Sequence, residues 1–186
     1  EKLEYRGYDS AGIAIINSET NCISCNKAEG KLKNLISNLN DHNIPGTVGI
    51  GHTRWATHGK PEVKNAHPHT DSSGTIAVVQ NGIIENFQDL KNKLEKEGII
   101  FNSDTDTEVI PHLIQRELNT LSKLNLENNG STLLVAVRNV ISDLEGSYAL
   151  AVLWADAPTS LVVARRQAPL IIGLGEGEFI CASDTP

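Results

Sequence analysis

The sequence predicts a layered α+β sandwich, and three observations lead there. Seven strand-like runs occur along the chain, with helical stripes in the longer intervals between them. The last four of those runs follow one another through short turns, which suits antiparallel pairing. Two of them, Leu150-Ala-Val-Leu-Trp154 and Leu161-Val-Val-Ala164, are apolar on both sides instead of alternating. A strand buried on both faces needs two covering layers, here a second sheet on one side and helices on the other.

The elements follow in order. Strand-like runs are Gly12 to Ile16, Thr47 to His52, Thr75 to Gln80, Tyr148 to Trp154, Ser160 to Ala164, Leu170 to Leu174 and Phe179 to Ala182. Between them, Leu32, Leu35, Ile36 and Leu39 share one helical face, and Phe87, Leu90 and Leu94 share another in a helix stopped by Gly98. Val109, Ile110, Leu113, Ile114 and Leu118 form a third stripe, with Pro111 near its start. Ser131 suits the N-cap of a helix through Leu133 to Leu144, which Gly146 closes.

Composition narrows the function classes. A chain of 186 residues fits one sizeable domain, and 39% hydrophobic residues with a mean hydropathy of -0.22 is ordinary for a soluble globular protein. The net charge of -7, without a basic run, argues against nucleic acid and anionic membrane as main partners. No apolar stretch reaches transmembrane length and no signal peptide opens the chain. Three cysteines are too few for a disulfide framework, which points to a reducing cytoplasm. The chain starts at Glu1, holds no methionine, and stops just after an apolar run, so it reads as a fragment cut at both ends.

Several polar constellations compete for a role. Cys22-Ile-Ser-Cys25 has metal-ligand spacing, but there is no second pair, and structural zinc wants four ligands. The cysteines read better as small strand residues. His52, His58, His67 and His69 crowd together without the grammar of a metal motif, so no metal is expected. The stretch Gly51-His-Thr-Arg-Trp-Ala-Thr-His-Gly59 is bracketed by glycines and follows a strand, so Arg54 to His58 reads as a loop at a strand end. An arginine there suits a carboxylate or phosphate, through two parallel charge-assisted hydrogen bonds. A surface salt bridge explains it equally well on this loop alone.

Asn81-Gly82 follows the strand that ends at Gln80, and what comes next is a helix instead of a matching strand. A side-chain amide and a glycine N–H then lie side by side, two donors fit for the oxygen of a tetrahedral intermediate. Ser103-Asp-Thr-Asp-Thr-Glu108 precedes the third helix, where Thr105 or Asp106 could cap but the whole cluster is not needed for that. A spare carboxylate suits an ammonium. Arg54 for a carboxylate, Asp106 for an amine and an oxyanion pair together fit an α-amino acid amide, with glutamine as the natural ligand.

Leu3-Glu-Tyr-Arg-Gly-Tyr-Asp-Ser-Ala-Gly12, the stretch Gly51 to Gly59, Asn65-Ala-His-Pro-His69, Gln80-Asn-Gly-Ile-Ile-Glu-Asn86 and Thr105-Asp-Thr-Glu108 carry a resemblance over nearly the whole chain. They resemble the glutaminase domains of the glutamine–fructose-6-phosphate aminotransferase (isomerizing), or glucosamine-6-phosphate synthase, family. The resemblance implies an N-terminal-nucleophile hydrolase fold, an αββα sandwich of two packed antiparallel sheets between helix layers. Residues 1–186 are then a type 2 glutamine amidotransferase domain, with no cofactor and no metal. The implied partners are L-glutamine and the sugar-phosphate isomerase domains of the same polypeptide, in a cytoplasmic homo-oligomer.

The resemblance also implies roles residue by residue. Arg54, helped by Thr57 in the loop that ends at His58, takes the glutamine α-carboxylate. Asp106 and the Gly82 carbonyl hold the α-ammonium, while Asn81 and the Gly82 N–H form the oxyanion hole. Trp55 is a gate toward an ammonia channel, and Arg6 lies close to the site. Two departures stand out. The family's nucleophile is an N-terminal cysteine whose own α-amino group serves as base, and no cysteine here matches it, so a fragment beginning at Glu1 is expected to be inactive. Gln80 stands where histidine is frequent. The open alternatives are the glutaminase domain of another amidotransferase and a glutamine-sensing module without catalysis.

Overall fold

The first sheet is built around β1 (Ser10–Ile16), which pairs antiparallel with β2 (Ile23–Glu29) on one side and β3 (Gly49–Arg54) on the other. The computed structural model describes residues 7–39, 44–55 and 59–184. A second sheet has the order β4 (His69–Thr70), β5 (Ile76–Ile84), β6 (Gly146–Trp154), β7 (Val162–Arg166), antiparallel throughout. Among the described residues four α-helices accompany them: α1 (Leu32–Leu39), α2 (Phe87–Lys96), α3 (Val109–Ser122) and α4 (Gly130–Asp143).

Alternation along the strands sorts the side chains into layers. Ala14 and Ile16 of β1 and Ile50 of β3 meet Ala77 and Val79 of β5 and Leu153 of β6, so the two sheets pack face to face. On the outside of the first sheet, Ala11, Ala28 and Leu35 bury the apolar side of α1. On the outside of the second, Ile76, Val78, Leu150 and Val152 pack against Leu94, Ile110, Ile114 and Leu133 of the other three helices. The order is helix, sheet, sheet, helices. Most stabilisation sits in that larger core, where each fully buried aliphatic side chain contributes about 1.5–3 kcal/mol.

The predicted sandwich is therefore observed, with corrections in detail. Ile23–Glu29 is absent from the strand-like runs, because Ile-Ser-Cys-Asn-Lys-Ala-Glu has neither alternation nor strong β-propensity; its ladder with β1 overrides that and makes Cys25 a small strand residue, as expected of it. The second predicted strand is shifted by two, so Arg54 closes β3 instead of opening a loop. The third continues past Gln80 to Ile84, with Asn81 opposite Ala149 and Gly82 opposite Tyr148. Asn-Gly is a turn signal, but the long partner strand β6 holds this pair in the ladder.

The last two predicted strands, β8 (Ile171–Leu174) and β9 (Phe179–Ala182), are antiparallel but form a separate two-stranded sheet, on which Leu174 and Phe179 are exposed. The cap of α4 is Asn129, two residues before the expected Ser131; its side chain accepts from the Ser131 and Thr132 N–H groups. Neither Thr105 nor Asp106 caps α3, whose N-cap position is Glu108. Pro111 fits because it lies in the first turn, where its missing N–H has no helical partner to lose. Among the described residues no helix is long and apolar enough to cross a membrane.

Candidate active site

Arg54 ends β3 beside Ser10 of β1, and its side chain is buried on the face that looks toward the second sheet, in line with Ile50 and His52. Its guanidinium donates to the Lys60 carbonyl at 3.3 Å and the Gly59 carbonyl at 3.4 Å, both long for such bonds. Burial pushes the guanidinium down from its ordinary range, and the carboxylates of Asp9 and Asp106 push it back up. Arg54 is thus a buried cation with acidic groups in its field.

Asp106 comes from the loop before α3 and is equally buried. One carboxylate oxygen accepts the Ile84 N–H at 2.7 Å, which ties the acidic loop to the end of β5. The cluster divides its labour. Glu108 turns back to accept from the Asn102 N–H at 2.8 Å, the Ser103 N–H at 2.7 Å and the Ser103 hydroxyl at 2.5 Å. Burial would raise the Glu108 carboxyl, but the His112 ring and these donors outweigh it and hold it at about 2. Asp104 pairs with Lys64 at 2.9 Å near the surface. Thr107 donates to the Gln80 side-chain carbonyl at 2.9 Å, a second tie between loop and strand.

Between these ties lie Asn81 and Gly82. Asn81 alternates with Ala77 and Val79, so its amide looks into the space between the sheets, on the side where Arg54 is. Gly82 has φ +133, and a Cβ there would lie 2.0 Å from the Ser147 carbonyl oxygen. Only glycine lets β5 run this close to β6. Trp55, the residue after Arg54, is exposed and meets the Tyr8 ring edge-on at a centroid distance of 5.4 Å. Arg6, Thr57 and His58 lie outside the described residues.

The structure thus brings Arg54, Asp106, Asn81 and Gly82 to one end of the sandwich. Cys25 is on β2, separated from β3 by β1, and Cys181 is on the exposed β9; these and Cys22 are free thiols. No group of three or more potential metal ligands occurs among the described residues. Sequence reasoning missed the scaffold beneath the site. His67 stacks on His52 at 4.3 Å and meets His69 edge-on at 4.9 Å. The Gln80 N–H points at His67 Nδ1 (3.3 Å), and His69 Nε2 bonds the Thr105 hydroxyl at 3.0 Å. Burial drives both rings down, His67 well below 6.5 and His69 to about 3, so both are neutral. The spacing Asn65-Ala-His-Pro-His69 was the available signal; nothing in it tells a scaffold from a ligand set.

The model of the glutamine amidotransferase domain family matches residues 52–186. The chain belongs to that family. Among curated relatives of this amidotransferase domain, the glutamine–fructose-6-phosphate aminotransferase [isomerizing] of Thermosynechococcus vestitus is 57% identical over 186 residues, all of this chain and 28% of the relative. The protein of the same name from Pyrococcus horikoshii is 54% identical, covering 100% of this chain and 29% of that one. The amidotransferase domain thus spans under a third of the relatives it matches. Among solved structures, the glutamine phosphoribosylpyrophosphate amidotransferase from B. subtilis is 29% identical with a TM-score of 0.77, covering 97% of this chain and 37% of that chain. A second, titled the allosteric regulatory enzyme of purine biosynthesis, is 30% identical with a TM-score of 0.79, at the same coverage of both chains. The fold is that of the N-terminal-nucleophile hydrolase amidotransferases.

Proposed function

We propose that this amidotransferase domain hydrolyses glutamine and supplies the ammonia for making glucosamine 6-phosphate from fructose 6-phosphate in a longer, cytoplasmic, homo-oligomeric enzyme. In this reading residues 1–186 are the glutaminase part, and sugar-phosphate isomerase domains belong to the same polypeptide. The observation that carries it is a buried cation, Arg54, and a buried anion, Asp106, near enough to interact by charge, with Asp106 tied to the strand that bears Asn81 and Gly82. A cation and an anion set against each other match the two charged groups on the α-carbon of an amino acid. The higher identity to the aminotransferases favours a sugar phosphate over phosphoribosylpyrophosphate as the final acceptor.

The chemistry follows from that placement. Arg54, with Thr57 and His58 nearby in sequence, takes the α-carboxylate; Asp106 and the Gly82 carbonyl take the α-ammonium. The carboxamide oxygen then lies toward the Asn81 amide and the Gly82 N–H, which stabilise it as it becomes an oxyanion. The attacking thiol in this reading is an N-terminal cysteine ahead of Glu1. Its α-amine, with an ordinary pKa of about 8, takes the thiol proton and delivers it to the departing ammonia. Water then releases glutamate from the thioester. Trp55 gates the exit for ammonia, Arg6 borders the glutamine site, and no cofactor or metal is needed.

The test is glutamate release by the full-length polypeptide. Asn81→Ala should lower the glutaminase kcat about 10²–10³-fold with glutamine KM little changed, as for a donor used mainly in the transition state. A normal kcat with weakened binding contradicts the oxyanion assignment.

A further inference from the structure

Asn65 is fully buried, and each polar atom of its side chain is spent on joining two loops. Its Nδ2 donates to the Lys60 carbonyl at 3.0 Å and to an Asp104 carboxylate oxygen at 3.3 Å. Its Oδ1 accepts the Asp104 N–H at 2.8 Å. The opposite amide orientation would set oxygen against a carbonyl and a carboxylate, so the assignment follows from chemistry. The Lys60 carbonyl is the same one that accepts from the Arg54 guanidinium. Asp104 stands two residues before Asp106. One amide therefore spans the segment that seats the cation and the loop that carries the anion.

We infer that Asn65 is a positioning residue that sets the separation between Arg54 and Asp106, and so makes the site selective for an α-amino acid. This rests on the proposed glutamine reading of that pair. Two anchors discriminate only when their spacing matches the ligand's own carboxylate and ammonium; a shift of about 1 Å in either forfeits much of the gain. A ligand with one of the two charged groups is indifferent to the spacing. Gly59 borders the same amide: its φ is +76, and a Cβ there would lie 2.7 Å from Asn65 Nδ2. A side chain at position 59 would displace the bridge from outside.

The experiment compares two substrates in the full-length polypeptide, L-glutamine and glutaramate, which is glutamine without its α-amino group. Asn65→Asp keeps the shape and the acceptor but replaces the donor. It should raise the glutamine KM at least about tenfold with kcat within about twofold, while the KM for glutaramate shifts by no more than about twofold. Gly59→Ala should reproduce the pattern, and stands in if Asn65→Asp does not fold. An equal penalty on both substrates, or a fall in kcat alone, overturns the inference and leaves Asn65 as a part of the fold. Equal hydrolysis of the two substrates by the unaltered enzyme overturns instead the reading of Arg54 and Asp106 on which it rests.

Discussion

The carboxylate of Asp106 accepts the Ile84 N–H at 2.7 Å, two residues beyond Gly82. This bond fixes the acidic loop to the strand that carries Asn81 and Gly82, so in the proposed function recognition of the α-ammonium and activation of the carboxamide would share one rigid frame. Further ties, among them Thr107 to Gln80 and Glu108 to the Asn102 and Ser103 N–H groups, keep the loop from turning away.

Asp106→Asn separates the two duties of that residue. An amide oxygen can still accept the Ile84 N–H, so stability should change little, but the charge is gone. The glutamine KM should rise about 10–100-fold, the range for a hydrogen bond to a charged group. Steady-state kinetics beside a urea melt checks it, and loss of stability with unchanged KM would make the residue purely structural.

Gly82→Ala tests the close approach of β5 to β6. The added methyl meets the Ser147 carbonyl oxygen at a distance no backbone accepts, and φ +133 suits no other residue. The variant should be destabilised by at least about 2 kcal/mol and lose glutaminase activity. Denaturant unfolding and glutamate release report the two losses; an unchanged midpoint would mean that the strands do not run this close.

How much of this was legible in the sequence depends on the kind of signal. The sandwich was, because Leu150 to Trp154 is apolar on both sides and the stripes of α2, α3 and α4 are regular. The ends of elements were not. Asn81-Gly82 carries local turn chemistry that the ladder with β6 overrides, and Ser131 looks as good a cap as Asn129 until the backbone is seen. Arg54, Asp106, Asn81 and Gly82 were picked out by type and position, and the fold gathers them. The bridge at Asn65 and the histidine stack were invisible, since they join residues that only tertiary packing brings together.

The buried histidines give the fold an acid sensitivity. His67 and His69 are held below the ordinary 6.5, facing His52 and Arg54 of β3 and Lys27 of β2, with Glu108 near His69 as the opposing charge. The unfolded rings take protons as pH falls below 6.5 while the folded ones stay neutral, down to about 3 for His69. Stability is then full above pH 6.5 and falls below it by about 1.4 kcal/mol per pH unit for each ring. Urea unfolding between pH 7.5 and 5 should show this slope, and His69→Gln should remove one ring's share. A flat profile over that range would mean the rings protonate within the fold.

The central claim is that Arg54 reads the α-carboxylate of glutamine, and Arg54→Lys in the full-length polypeptide tests it most directly. Lysine keeps the charge and loses the planar fork. The account predicts a glutamine KM raised at least tenfold, from about 1.5–3 kcal/mol for a charged hydrogen bond, with any ammonia-dependent or sugar-isomerising activity of that polypeptide barely changed. An unaltered glutamine KM in a folded variant would contradict it.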